Sequence, residues 1–201
     1  MEIANNQSYS GMTFNELDFE GTEIIGCKFD HCSFQNAGME SIITRRCCFS
    51  DCNLKAARLN TSFHEASAFT NCQFQYANLF CSQFSECKMM GSSFGEVNMI
   101  GLEITGGDWS YTSLRSQNLK GLNLQNIRLV NADMSMCNLE KADFRNADLS
   151  HAVLSQANLN GANLRDAKTE GLDFKSFNLK GVLMDVGQAI SVARAFGAVI
   201  G

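Results

Sequence analysis

The sequence predicts a solenoid, and two superposed periods are the reason. A large apolar residue returns at every fifth position, from Phe14, Phe19, Ile24, Phe29 and Phe34 through Leu149, Leu154, Leu159 and Leu164 to Phe174, Leu179 and Met184, and the register never slips. An amphipathic helix asks for apolar residues at i, i+3, i+4 and i+7, and a half-buried strand for strict alternation. A sustained fifth-residue repeat is neither. The slower period is Asn directly before the centre at 78, 98, 118, 138, 158 and 178. Twenty residues therefore form one coil of four five-residue sides, with Asn78 to Asn178 as a ladder up one wall.

Of 35 centres, 32 are Leu, Phe, Ile, Met or Trp. Two residues before each stands a smaller side chain, usually Ala, Cys, Ser, Thr or a modest aliphatic, with Gln117 the largest polar intruder. None of the 16 Lys and Arg or 21 Asp and Glu falls on either series. A dry interior requires this, because an unpaired buried charge is prohibitively costly. Gly favours the position two after the centre, at 21, 101, 121, 161 and 181, where it supplies the positive φ that some turns need. The absence of Pro suits a backbone whose donors must bond the next coil.

Residues 1–11 read as a polar lead-in to the coils of 12–186. The first coils are rich in Phe. Phe14, Phe34, Phe74 and Phe94 fall on one wall and Phe29, Phe49 and Phe69 on another, so rings one coil apart should stack, adding about 0.5–1.5 kcal/mol per pair. Later coils use Leu, with Leu149 and Leu159 among the expected core. The change from Phe with Cys or Ser to Leu with Ala marks a seam between two sub-blocks, although no linker separates them.

Seven of the nine cysteines, Cys27, Cys32, Cys47, Cys52, Cys72, Cys87 and Cys137, occupy the small inward slot and read as packing. Only Cys48 and Cys81 should point outward. Three centres are polar: Thr44, His64 and Thr169. Thr44 and His64 would stack on one wall, and two arrangements are open. Either they pair inside, or the backbone slips by one residue and turns Ile43 and Phe63 inward, which is the preferred reading.

No Gly-rich phosphate loop, HExxH pair or nucleophile elbow is present, and His31, His64 and His151 share no consistent partner. No catalytic, cofactor-binding or metal residue is assigned, and enzymatic activity is not expected. No apolar run approaches the ~18 residues of a membrane span, and MEIANNQSYS lacks the basic and apolar regions of a signal peptide. A cytoplasmic location is the expectation. Phe80 and Ile100, each just after a centre on the Asn-ladder wall, form a candidate partner patch.

After Met184 the repeat stops. In 187–201 a short helix is expected, with Asp185 and Gln188 spaced as a capping box and Gly197 as its stop. Ala189, Ile190, Val192, Ala193 and Phe196 are too apolar for a free surface helix. They either cap the last coil or, with Val199 and Ile200, join two copies.

The pattern A-(D/N)-L-x-x over 12–186 resembles that of the pentapeptide-repeat proteins. The resemblance implies an all-β solenoid, a right-handed quadrilateral β-helix, here with a short C-terminal α-helix. At about 4.8 Å per coil the rod would be about 42 Å long. The ending QAISVARAFGAVIG, through Gln188, Ala189, Gly197, Val199 and Ile200, is similar to that of the Qnr-type fluoroquinolone-resistance members. That likeness implies a homodimer joined through the tail, and a non-enzymatic mimic of duplex DNA. Its implied partners are the bacterial type II topoisomerases, DNA gyrase and topoisomerase IV, which such members protect from quinolones or inhibit. Neither a cofactor, a membrane nor direct nucleic-acid binding is implied. Many Qnr-type rods carry projecting loops, and the unbroken register here resembles the loop-free members. The alternative is an interaction scaffold whose unrelated protein partner contacts Phe80 and Ile100.

Overall fold

The expected centres fill the bore of a right-handed, four-sided β-solenoid in a computed structural model that describes residues 3–201. Phe14, Phe34, Phe74, Phe94, Leu149 and Leu159 are all buried, none more than 1% exposed. Naming the walls by their centres, wall one carries Phe14 and its successors at intervals of 20, wall two Phe19, wall three Ile24 and wall four Phe29. Wall three is a parallel sheet of β2 (Glu23–Ile25), β4 (Ile43–Arg45), β6 (Phe63–Glu65), β8 (Gln83–Ser85) and β9 (Glu103–Thr105). Wall four begins as a second sheet of β1 (Ser8–Ser10), β3 (Lys28–Asp30), β5 (Cys48–Ser50) and β7 (Ala68–Thr70). Elsewhere the coils meet through isolated parallel bridges at the same spacing of 20, such as Asn138 with Asn158.

This stacking answers the backbone's demand for partners, since each coil donates to the next. Phe34 N–H bonds the Asn53 carbonyl at 2.7 Å and Leu54 N–H that of Gln73 at 2.8 Å. Each side turns its corner at positive φ two residues after the centre, at Asn36, Ala56, Tyr76 and Glu96 as well as at the glycines. Gly is thus sufficient but not required there: a left-handed L-residue costs about 1–2 kcal/mol, and the coil contacts on both sides offset it.

Solenoid geometry starts inside the lead-in assigned to 1–11. Strand β1 pairs with β3, the Tyr9 ring stacks on Phe29 at 5.2 Å, and Ile3 is buried over the first coil. At the other end helix α1 (Val186–Ala195) begins one residue before 187.

The preferred backbone slip at 43–44 and 63–64 does not occur. Strands β4 and β6 pair in register, Thr44 and His64 are fully buried, and Ile43 and Phe63 stay outside. Both imidazole nitrogens have partners, Nδ1 at 2.7 Å from Thr44 Oγ1 and Nε2 at 2.9 Å from Ser62 Oγ. A slip would have turned the whole strand inside out, whereas two hydroxyls satisfy the ring where it is. It stacks on Phe84 at 4.6 Å. Burial lowers the His64 pKa to about 3, so the ring is neutral.

The seam is visible between the coil at 95–106 and the coil at 115–126. One coil earlier, Leu79 N–H bonds Asn98 C=O at 2.9 Å, Cys81 bonds Ile100 at 2.9 Å and Glu86 bonds Thr105 at 2.8 Å. The equivalent pairs Met99 with Asn118, Gly101 with Lys120 and Gly106 with Gln125 make no bond. The coils rejoin on wall four, where Trp109 N–H donates to Arg128 C=O at 2.7 Å, and on wall one, where Phe94 donates to Ser113 at 2.9 Å. Here bulky slot residues face one another on successive coils, Val97 and Leu102 on one and Gln117, Leu122 and Ile127 on the next, and packing them together crowds the bore. A similar intruder, Phe177 against Phe174 at 6.0 Å, accompanies missing bonds in the last coil.

Candidate functional site

Wall two and the C-terminal end carry the candidate residues. On wall two the asparagines bond one another: Asn98 Nδ2 donates to Asn78 Oδ1 at 2.9 Å, Asn138 to Asn118 at 3.1 Å and Asn158 to Asn138 at 3.3 Å. Each Oδ1 also accepts the backbone N–H two residues on, as Asn158 does from Asn160 at 3.1 Å. This Asx turn fixes the corner that follows. Asn98 and Asn118 are not bonded, because the seam parts them. Phe80 and Ile100 sit two residues after ladder asparagines on adjacent coils, 42% and 66% exposed. Ile100 also lines a cleft of about 410 Å³ at the mouth of the seam, with Met99, Leu102, Leu119 and Leu122.

The C-terminal helix is tied to the rod by a residue whose role sequence spacing shows only in part. Asp185 Oδ1 accepts the Gln188 N–H at 2.9 Å and Gln188 Oε1 accepts the Asp185 N–H at 3.1 Å, the expected capping box. The bond from Gln188 holds the Asp185 carboxyl below its usual range. The other end of Gln188 is buried and donates from Nε2 to the carbonyls of Leu164 at 2.5 Å and Ala167 at 2.9 Å. Those carbonyls lie 24 and 21 residues back in the chain, out of reach of local pattern reading. Val192 packs partly against the core, and Ile190 and Ala193 are half-buried. Ala189, Phe196, Val199 and Ile200 are exposed, Val199 to 97%, and Leu183 and Val186 extend the same apolar end. An exposed apolar end of this kind marks a contact surface.

Some of the surface charge is paired across coils. Arg45 bridges Glu23 and Glu65 across three coils of wall three, Lys120 meets Glu140 at 2.9 Å, and Arg145 meets Asp143 at 2.6 Å. The Lys120 ammonium holds the Glu140 carboxyl below its usual range, and Arg145 does the same for Asp143. Among the described residues one group could approach a single ion, Asp30, His31 and Asp51, all exposed, with donor atoms within 4.8 Å of one another. Asp30 raises the His31 pKa through its hydrogen bond. No helix is long and apolar enough to cross a membrane among the described residues.

The geometry first defines a class, the quadrilateral β-helix of five-residue repeats. Residues 98–135, 110–146 and 137–181 match the family model for pentapeptide repeats, and the coils before them continue the same geometry. Over 98–181 the chain carries pentapeptide repeats, and its fold is Qnr-like. A trypsin-treated form of QnrB1, a plasmid-mediated fluoroquinolone resistance protein, superposes with a TM-score of 0.87 at 20% identity, covering 98% of this chain and 99% of that one. Full-length QnrB1 superposes at 0.64 with 21% identity, over 97% and 99% of the two chains. HetL, a pentapeptide-repeat protein involved in heterocyst differentiation regulation in Nostoc sp. strain PCC 7120, gives 0.51 at 22% identity, over 89% and 86%. No curated protein matches the chain by sequence.

Proposed function

We propose that this protein is a Qnr-like quinolone-resistance factor that acts without covalent chemistry, by binding a bacterial type II topoisomerase, DNA gyrase or topoisomerase IV, as a mimic of duplex DNA. The observation that carries the reading is the likeness to QnrB1 along 98% of this chain and 99% of that one. Further support comes from the exposed apolar end: two rods joined through Ala189, Ile190, Val192, Ala193, Phe196, Val199 and Ile200 would span about 85 Å, the scale of a bound DNA segment. A net charge of −5 agrees in sign, although pairing leaves no wall of one charge. Its site of action on this reading is the cytoplasm.

A gyrase supercoiling assay with and without a quinolone tests the reading. Rescue of supercoiling, or inhibition, at micromolar protein is expected, and neither effect would sink it. For the dimer, Val199→Asp with Ile200→Asp leaves the Gln188 cap intact and should halve the mass seen by light scattering. An unchanged mass would leave the tail a cap only. A second reading, a scaffold for an unrelated protein, draws on the exposure of Phe80 and Ile100 on adjacent coils, and gains if the gyrase assay is silent.

A further inference from the structure

The seam interrupts the coil-to-coil bonding on walls two and three, reaches the end of wall one, where Glu96 N–H lacks the bond that Tyr76 makes to Gly95, and leaves it whole on wall four. In the stack from 3 to 94 bonding runs on all four walls, so the seam is a local feature of an otherwise continuous ladder. On both of its lips backbone groups that pair elsewhere stand open: the N–H of Met99, Gly101 and Gly106 on one side, the carbonyls of Asn118, Lys120 and Gln125 on the other. Behind them the apolar side chains of Met99, Leu102, Trp109, Leu119 and Leu122 leave a gap of only about 10 Å³. Where wall three turns into wall four stands the chain's one pair of adjacent glycines, Gly106 and Gly107, both at positive φ.

We infer that the rod is jointed here: the stacks before and after the seam open and close about wall four, with the Gly106–Gly107 backbone as the hinge. Two opposed terms hold the joint near balance. Closing would cover the exposed Ile100 and half-buried Leu122 and restore the backbone pairs, while the bulk of Leu102, Gln117, Leu122 and Ile127 in their slots resists it. Motion concentrates where the fewest bonds oppose it, and a few residues at the end of an element absorb the angular change. Wall four keeps its bonds through Trp109 and Arg128, so the stacks pivot without separating. Opening changes the curvature of the rod, and any partner that grips both halves selects one setting.

Hydrogen exchange on the intact protein tests the open lips. Amides of Met99, Gly101 and Gly106 should exchange at least about 100-fold faster than those of Leu79, Cys81 and Glu86, their counterparts one coil earlier. Equal protection would overturn the joint. Crosslinking tests the motion. In a Cys81→Ser background, Ile100→Cys with Lys120→Cys places thiols one coil apart across the seam, and they can bond only when it closes to about the 4.8 Å coil spacing. The expected result is a crosslink under mild oxidation, with slowed exchange at the same three amides and altered emission from Trp109, the single tryptophan. Phe80→Cys with Ile100→Cys, across a bonded coil, is the control. If the control pair links and the seam pair does not, the gap is fixed and the joint is disproved.

Discussion

Before the seam the bore is aromatic and its small slots are polar; after it the bore is Leu and the slots are Ala. Phe29, Phe49 and Phe69 stack at 4.7 Å on wall four, and Phe14 on Phe34 at 4.8 Å on wall one. Beside them Cys47, Cys52 and Cys72 each donate S–H to a carbonyl 23 residues back, at 3.3, 3.4 and 3.4 Å. Ser82 and Ser92 do the same with their hydroxyls, at 2.6 and 2.7 Å. Burial pushes the Cys47 thiol up to about 11 and Cys87 up to about 12, so these are packing groups held in the neutral form. The later coils have Ala142, Ala147, Ala152, Ala157 and Ala162 in that slot, with no group to donate. The comparison teaches that the square bore accepts two different fillings, a bulkier one of stacked rings with Cys or Ser beside them and a leaner one of Leu with Ala. Where bulky slot residues fall on facing coils, Val97 and Leu102 against Gln117 and Leu122, the bonds between those coils are lost.

The largest expected effect contrasts the two fillings directly. Phe49→Ala removes a ring held between two others and should cost about 3–5 kcal/mol, while Leu149→Ala, equally buried, should cost about 2–5 kcal/mol and fall below it. Urea denaturation of both variants measures the difference; equal losses would mean that ring stacking adds nothing to burial here.

The pH effect of a buried imidazole belongs to the earlier block alone. The His64 pKa is lowered in the folded state to about 3 from 6.5, so below 6.5 the unfolded chain takes up a proton that the folded one refuses. Stability is then full above 6.5 and falls as the pH drops toward 3, approaching a slope of about 1.4 kcal/mol per pH unit from this group alone. His64→Phe, which can stack on Phe84, should remove that part of the acid sensitivity. If denaturation midpoints of variant and parent fall in parallel with acid, His64 is not its source.

The smallest effect belongs to the later block. Asn138 both gives and receives a ladder bond and accepts the Glu140 N–H at 3.2 Å. Asn138→Ala should cost about 1 kcal/mol, and a loss several times larger would mean that the ladder, rather than the Leu column, holds these coils together.

The repeat carried most of the fold because in a solenoid each side meets the same environment, so one five-residue rule, read from Phe14 to Met184, places every inward side chain. The capping box of Asp185 and Gln188 was legible for the same reason: its parts lie three residues apart. His64 was misjudged because a local pattern cannot count partners contributed by other coils, and Thr44 lies 20 residues away. The seam was legible as a change of composition, but where the coils part depended on how Val97 and Leu102 of one coil meet Gln117 and Leu122 of the next. Thus periodicity alone determined the coil, the wall on which each residue stands and the exclusion of charge from the bore. Only the stacked structure decided which polar groups find partners inside, where the ladder breaks and what the tail leaves exposed, because those outcomes depend on distances between residues that sequence separates by a whole turn.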